Sequence, residues 1–153
     1  MQFIEVSEFA EIADEFEKRV RDMVWCSAAT VDTVGRPRTR VLHPIWEGYT
    51  AYIGTSPASL KLKHLSKTPN MSLAYIKNPM KPVYADCTVE TVTDAAEKQR
   101  IWDLFKSEPD PYGYDPALVF GSVEDERWGV LKLTPWRIEV YQIAVESKIW
   151  KPN

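Results

Sequence analysis

With 153 residues, 44% of them hydrophobic and 27% charged, the chain has the size and composition of one soluble globular domain, 1–153, able to bury a real core. No apolar run approaches the roughly 18 residues that a membrane span needs, and a net charge of −3 with a pI near 5.5 argues against nucleic acid as the main partner. The acidic start, MQFIEVSEFAEIADEFEK, lacks the basic and apolar regions of a secretory signal, and Cys26 and Cys87 stand in apolar surroundings without metal-ligand spacing, so the expectation is a cytoplasmic protein with reduced core thiols and no metal site.

Taken in order, residues 7–23 carry Phe9, Ile12, Phe16, Val20 and Met23 at helical spacing, with Ser7 as the expected N-cap. The segment Trp25 to Val31 reads as a buried strand. It runs through the turn residues Asp32-Thr-Val-Gly35 into a second strand, 36–46, making a hairpin. Pro44 cannot donate to a ladder and marks an edge, a bulge or an opening there. After Glu47-Gly48 a strand over 49–54 leads to Thr55-Ser56-Pro57, where Ser56 or Thr55 would cap a helix over about 57–67 with Pro57 as its first residue.

Residues 36–67 hold six Lys/Arg (Arg36, Arg38, Arg40, Lys61, Lys63, Lys67) against one acid, Glu47, a local charge of +5 in a chain that sums to −3. Such a concentration suggests an anionic ligand. Arg38 and Arg40 leave one face of a regular strand. Thr55, Ser59 and Lys61 surround a helix start, whose free N–H groups favour anions. Read from the residues alone, the window is either a phosphate site or a solvated strand and helix face.

Further on, 71–76 and 83–92 read as strands around a turn at Asn78 to Pro82. Asp94 and Glu97 are a capping pair for a helix over 95–106 with Ile101, Trp102 and Phe105 inward. A Pro/Tyr-rich loop, 107–117, precedes a short helical turn after Asp115-Pro116. Strands over 130–140, with a bulge or edge at Pro135, and 143–150 close the chain. The elements predict a mainly β fold, a six- to seven-stranded antiparallel barrel with about three peripheral helices.

No Gly-rich phosphate loop, nucleophile elbow or HExxH pair is present, and His43 and His64 have no acidic or thiol partner at ligand spacing. A lone helical histidine such as His64 reads as a solvated or capping residue. The tryptophans read as core or interface anchors, one or two of them candidates to cover a planar ligand. No catalytic residue is assigned, so redox chemistry would be carried by a bound cofactor.

The run Ala28-Ala-Thr-Val-Asp-Thr-Val-Gly-Arg-Pro-Arg38 resembles the "ATVDADGRPR" hairpin of the flavin- and deazaflavin-binding split β-barrel proteins, the pyridoxamine 5'-phosphate oxidase superfamily. Thr55 with Ser59 and Lys61, the stretch from His64-Leu65 to Pro69-Asn70-Met71-Ser72-Leu73, and Pro135-Trp-Arg-Ile-Glu-Val140 resemble its later motifs in the same order, spanning most of residues 22–141. The resemblance implies a split β-barrel homodimer with FMN in a cleft between protomers. Arg38, Thr39 and Arg40 would lie along the flavin, and Thr55, Ser59 and Lys61 would hold its phosphate. It implies an FMN-dependent oxidoreductase acting on a small organic substrate. The alternatives within the fold are an F420 (deazaflavin) reductase and a non-catalytic flavin- or haem-binding stress protein. The edge signals at Pro44 and Pro135 and the many tryptophans also suit a dimer. Ser59-Leu60-Lys61 stands where the vitamin B6 oxidases have Ser-Arg-Lys. His43-Pro44 stands near their strand lysine, and their Arg-Leu-His-Asp-Arg type substrate segment has no counterpart, which argues against pyridoxamine phosphate as substrate.

Overall fold

Local turn chemistry builds the hairpin that carries the basic strand. Asp32 Oδ1 accepts from the N–H groups of Val34 (3.0 Å) and Arg36 (2.9 Å), and Gly35 takes a φ of 90°, a conformation that costs glycine little. The chain therefore reverses between β2 (Cys26–Val31) and β3 (Pro37–Leu42), which pair antiparallel with Arg40 opposite Ala28. The computed structural model describes residues 2–153. It joins this hairpin to β4 (Ile45–Glu47), β5 (Thr50–Thr55), β6 (Asn70–Tyr75), β7 (Val83–Val92), β8 (Gly129–Val140), β9 (Glu146–Trp150) and β1 (Gln2–Val6).

The strands run in the order β1-β9-β8-β7-β6-β2-β3, with β5 paired to β8 and β4 to β5. The long β8 serves two sides of the split barrel: Gly129 to Leu133 pair with β5, and Ile138 to Val140 with β9. Nine strands replace the six or seven expected, for two reasons. His43-Pro44 divides the expected 36–46 strand, since a residue without N–H cannot continue the ladder; the chain leaves β2 at Leu42 and re-enters opposite β5 at Ile45. Gln2–Val6 forms a strand that was not foreseen, parallel to β9 with Val6 opposite Trp150, so the sheet is mixed rather than wholly antiparallel. At Pro135 the expected bulge is present: Asp86 faces Arg137 while Cys87 faces Pro135, which leaves Trp136 as the extra residue.

The first helix is shorter than 7–23. A 3-10 turn at Phe9–Glu11 comes first, with the Glu11 carboxylate accepting from the Glu8 N–H at 3.1 Å, so Glu8 rather than Ser7 starts it; α1 then spans Ala13–Met23. The third, α3 (Ala95–Ser107), starts where its cap predicts, with Asp94 Oδ2 accepting from the Glu97 N–H at 2.8 Å. The short α4 (Ala117–Phe120) follows the Tyr-rich loop.

Two apolar clusters hold the layers together. Phe16 and Val20 of α1 pack with Trp46, Leu73, Tyr75 and Leu133, and the Trp46 indole N–H donates to the Tyr75 hydroxyl at 2.9 Å, so this buried pair is satisfied. On the other side Trp128 packs with Ile101, Trp102 and Phe105 of α3 and with Phe120 of α4. Among the described residues no helix is long and apolar enough to cross a membrane.

Candidate functional site

Of the eight arginines, six lie within 4.0 Å of a carboxylate; Arg38 and Arg40 do not. Edge strand β3 exposes Arg38 and tucks Arg40 partly inward, where its Nη1 donates to the Ala28 carbonyl (3.3 Å) and to Thr30 Oγ1 (2.8 Å). The same Thr30 oxygen lies 2.9 Å from His64 Nδ1, within hydrogen-bond distance. A three-residue chain from β2, β3 and α2 (Leu60–Lys67) thus fixes the guanidinium.

Helix α2 starts later than expected. Pro57 lies in a turn closed by the Ser59 N–H to Ser56 carbonyl bond (3.0 Å), and Ser59, with extended φ/ψ of −69° and 144°, is the N-cap. The reason is local: residues 56–59 satisfy their own turn, so the helix begins only where the next backbone carbonyl is free. The Ser59 hydroxyl makes no capping bond; it meets Thr55 Oγ1 at 3.3 Å. Two hydroxyls and an uncapped helix start therefore face the same place. Lys61 sits one turn before His64 on the same helix face and is half-buried. Desolvation, then the nearby Arg40 charge, lower its pKa; burial, then Arg38, lower that of Arg40. Cations that burden one another and lack a carboxylate fit an anion, whose charge relieves both costs.

The structure thus gathers Arg40, Thr55, Ser59 and Lys61, with Arg38 beside Arg40 along the strand. Thr39 is exposed on the alternate face of β3, opposite Ala29. Lys63 is exposed, and Lys67 donates to the Thr33 carbonyl at 2.7 Å. Thr30 and His64 were not foreseen in this role. His64 is 4% exposed rather than solvated. The signal available for it was the apolar Leu65 beside it on a short helix, too little to separate a buried from an exposed face. Thr30→Val should leave the imidazole and guanidinium without their shared partner and cost about 1–3 kcal/mol in urea unfolding, whereas Thr30→Ser should cost less than about 1 kcal/mol.

A cleft of about 420 Å³ opens between β3, β5 and the loop before α4. Its strand residues Val41 and Gly54 are next in the chain to Arg40 on β3 and Thr55 on β5. The loop wall is pinned from afar. Arg21 of α1 holds Glu108 through two N–H···O bonds (2.8 and 3.1 Å) and lies 4.4 Å over the Tyr112 ring, whose hydroxyl accepts from the Trp46 N–H at 2.7 Å. His43 Nε2 lies 2.6 Å from the Tyr112 carbonyl. Gly54 is required here, because a Cβ would come within 2.6 Å of the Trp128 ring and 3.2 Å of the Tyr114 hydroxyl.

The two cysteines take no part. Both are buried; burial pushes the Cys26 thiol up to about 12 and raises Cys87 further. A folded sample at pH 8 should show no thiol reactive towards a disulfide reagent, and two after denaturation. Among the described residues no cluster of three or more His, Cys, Asp or Glu side chains is arranged to hold a metal ion.

Several solved structures share this architecture. A protein from Clostridium acetobutylicum related to general stress protein 26 of B. subtilis superposes with a TM-score of 0.74 at 15% identity, covering 92% of this chain and 94% of that one. A pyridoxamine 5'-phosphate oxidase-related, FMN-binding protein from Nostoc punctiforme gives 0.62 at 16% identity (88% and 83% covered). An F420 reductase gives 0.57 at 16% identity (80% and 94%). Among curated proteins no significant match is found. The sequence profile described as pyridoxamine 5'-phosphate oxidase matches residues 12–139, most of the chain. A match of that extent, on a sheet of this topology, makes the chain a member of the pyridoxamine 5'-phosphate oxidase family.

Proposed function

We propose that the protein is an FMN-dependent oxidoreductase acting on a small organic molecule. The observation that carries this reading is the uncompensated pair Arg40 and Lys61 at the hydroxyl-lined start of α2, a site built for a phosphate. Similarity to an FMN-binding protein supports flavin as the bearer of that phosphate. Bound FMN would supply the two-electron transfer, and both thiols of the chain are buried away from it. The chain's share is to bind and orient. Thr30 and His64 hold Arg40 in place before the ligand arrives, so little ordering is left to be done on binding.

The F420 cofactor is the second reading. It is favoured by similarity to an F420 reductase and by the exposed Arg38, which has no carboxylate within 4.0 Å among the described residues and would suit a long acidic tail. The protein acts as a homodimer in this proposal. In support, β3 is an edge strand exposed on both faces, with Val41 67% and Trp25 56% exposed beside it, and such an edge favours pairing or covering. Light scattering should give twice the 17.6 kDa chain mass; the single-chain mass at micromolar concentration contradicts the dimer.

The test is to purify the protein without added cofactor, add FMN and F420 in competition, remove the excess and identify what a denatured sample releases by mass spectrometry. Absorption supplies the cross-check, with oxidised FMN near about 370 and 450 nm and F420 near about 420 nm. Release of FMN supports the proposal, and retention of F420 in its place overturns it.

A further inference from the structure

We infer that the end of α1 is a pre-tensioned joint: Val24 is held in a strained backbone conformation by a closed ring of contacts through Arg21, Tyr112 and His43, and this ring braces the two walls of the cleft against each other. The inference holds whichever cofactor the protein binds.

The strain is visible in the backbone. Among the described residues, Val24 (φ 64°) and Ala144 (φ 66°) are the non-glycine residues with positive φ. Val24 is the more costly of the two. It is β-branched and, with a ψ of −59°, stands in a γ-turn closed by the Trp25 N–H to Met23 carbonyl bond at 2.7 Å. Glycine is the usual residue where a helix ends with a positive φ. Here the side chain is buried in the same apolar cluster as Phe105 and Tyr112, so packing offsets the backbone cost.

The joint cannot relax because both of its sides are tied. On the helix side the Val24 N–H donates to the Val20 carbonyl at 2.9 Å. One turn earlier, Arg21 grips Glu108 through two bonds and lies 4.4 Å over the Tyr112 ring. On the strand side Cys26 is paired with Leu42, so Trp25 and His43 stand just past the end of the hairpin ladder, with their rings 4.7 Å apart. His43 Nε2 in turn lies 2.6 Å from the Tyr112 carbonyl. The path from α1 through Val24, the β2–β3 hairpin, His43 and Tyr112 therefore returns to α1 at Arg21.

In a closed path no residue can change its backbone unless a contact elsewhere gives way. Of the residues on this one Val24 alone has a positive φ, so the misfit of the ring collects there. The device keeps the aromatic side of the cleft, Trp25 and His43, at one spacing from its loop side, Asp110 to Tyr114, before a ligand arrives. Opening the ring at either Arg21 or His43 should release Val24 and let the walls part.

The experiment compares Val24→Gly with Val24→Ala by urea unfolding. Both lose the buried methyl groups, so they differ chiefly in backbone preference: alanine is the more stable where φ is negative, glycine where it is positive. We expect Val24→Gly to unfold at the higher urea midpoint, an order that a purely packing role would not produce. Two backgrounds open the ring: Arg21→Met, and His43→Phe, which keeps an aromatic ring and removes the bond to the Tyr112 carbonyl. In both, the order should vanish or reverse. In Lys18→Met, a change on the exposed face of α1, it should persist. Alanine equal to or above glycine in the native background overturns the strain, and an undiminished glycine advantage in either ring-opened background overturns the ring. Glu108→Gln cuts the same grip from the loop side if Arg21→Met does not fold. A second measurement leaves Val24 intact: chymotrypsin cleavage after Tyr112 or Tyr114 should be at least about tenfold faster in Arg21→Met and in His43→Phe than in the native chain or Lys18→Met. A rate unchanged in either ring variant overturns the inference as well.

Discussion

Alanine at Arg40 or at Lys61 should weaken FMN binding by roughly tenfold to a hundredfold, because each removes a charge-assisted hydrogen bond of about 1.5–3 kcal/mol to the phosphate. Lys63→Ala is the internal control. Its side chain belongs to the same helix and the same run of charge, yet it is exposed and has no described partner, so its loss should change the affinity by about twofold or less. The contrast follows from the geometry: Arg40 is fixed by Thr30 and Ala28, and Lys61 is half-buried beside it at the start of α2. Fluorescence-quenching titrations of the three variants decide the matter. A solvated basic face would make all three behave alike.

The largest loss of stability should come from Trp128→Ala, at about 3–5 kcal/mol in denaturant unfolding. Trp128 is fully buried, and its ring lies 5.1 Å from Trp102, 6.2 Å from Phe105 and 5.0 Å from Phe120, all edge-on or steeply inclined. Its ring packs with residues of α3 and α4 and lies against Gly54 of β5, so truncation leaves a cavity that several elements border. Trp128→Phe should cost distinctly less. A midpoint shift for Trp128→Ala no larger than that for an exposed substitution such as Leu118→Ala would show that this cluster does not hold the cleft wall.

The parts of the fold that sequence reasoning reached are those set by neighbours in the chain. The Asp32 to Gly35 turn fixes β2 against β3, Asp94 starts α3, and Pro135 makes a bulge, each through contacts a few residues away. The closeness of Thr55, Ser59 and Lys61 at the start of α2 was legible for the same reason, since they fall within seven positions of one another. What stayed hidden depends on distant partners. Gln2–Val6 becomes a strand only by pairing with Glu146–Trp150, and nothing in its own five residues distinguishes a strand from the approach to a helix. The burial of His64 depends on Thr30 from another strand, and the cleft wall depends on Arg21 reaching Glu108 and Tyr112. Pro44 was read as an opening, but where the chain goes after that opening is decided by β5.

The central claim is that this pocket recognises the phosphate of a flavin. FMN and riboflavin share the ring and differ by that phosphate, so titrating each into the cofactor-free protein and following flavin fluorescence isolates its contribution. Saturable FMN binding at one per chain, with riboflavin weaker by at least about tenfold, is the expected result. Equal affinities for the two flavins, or no saturable binding of FMN, would contradict it.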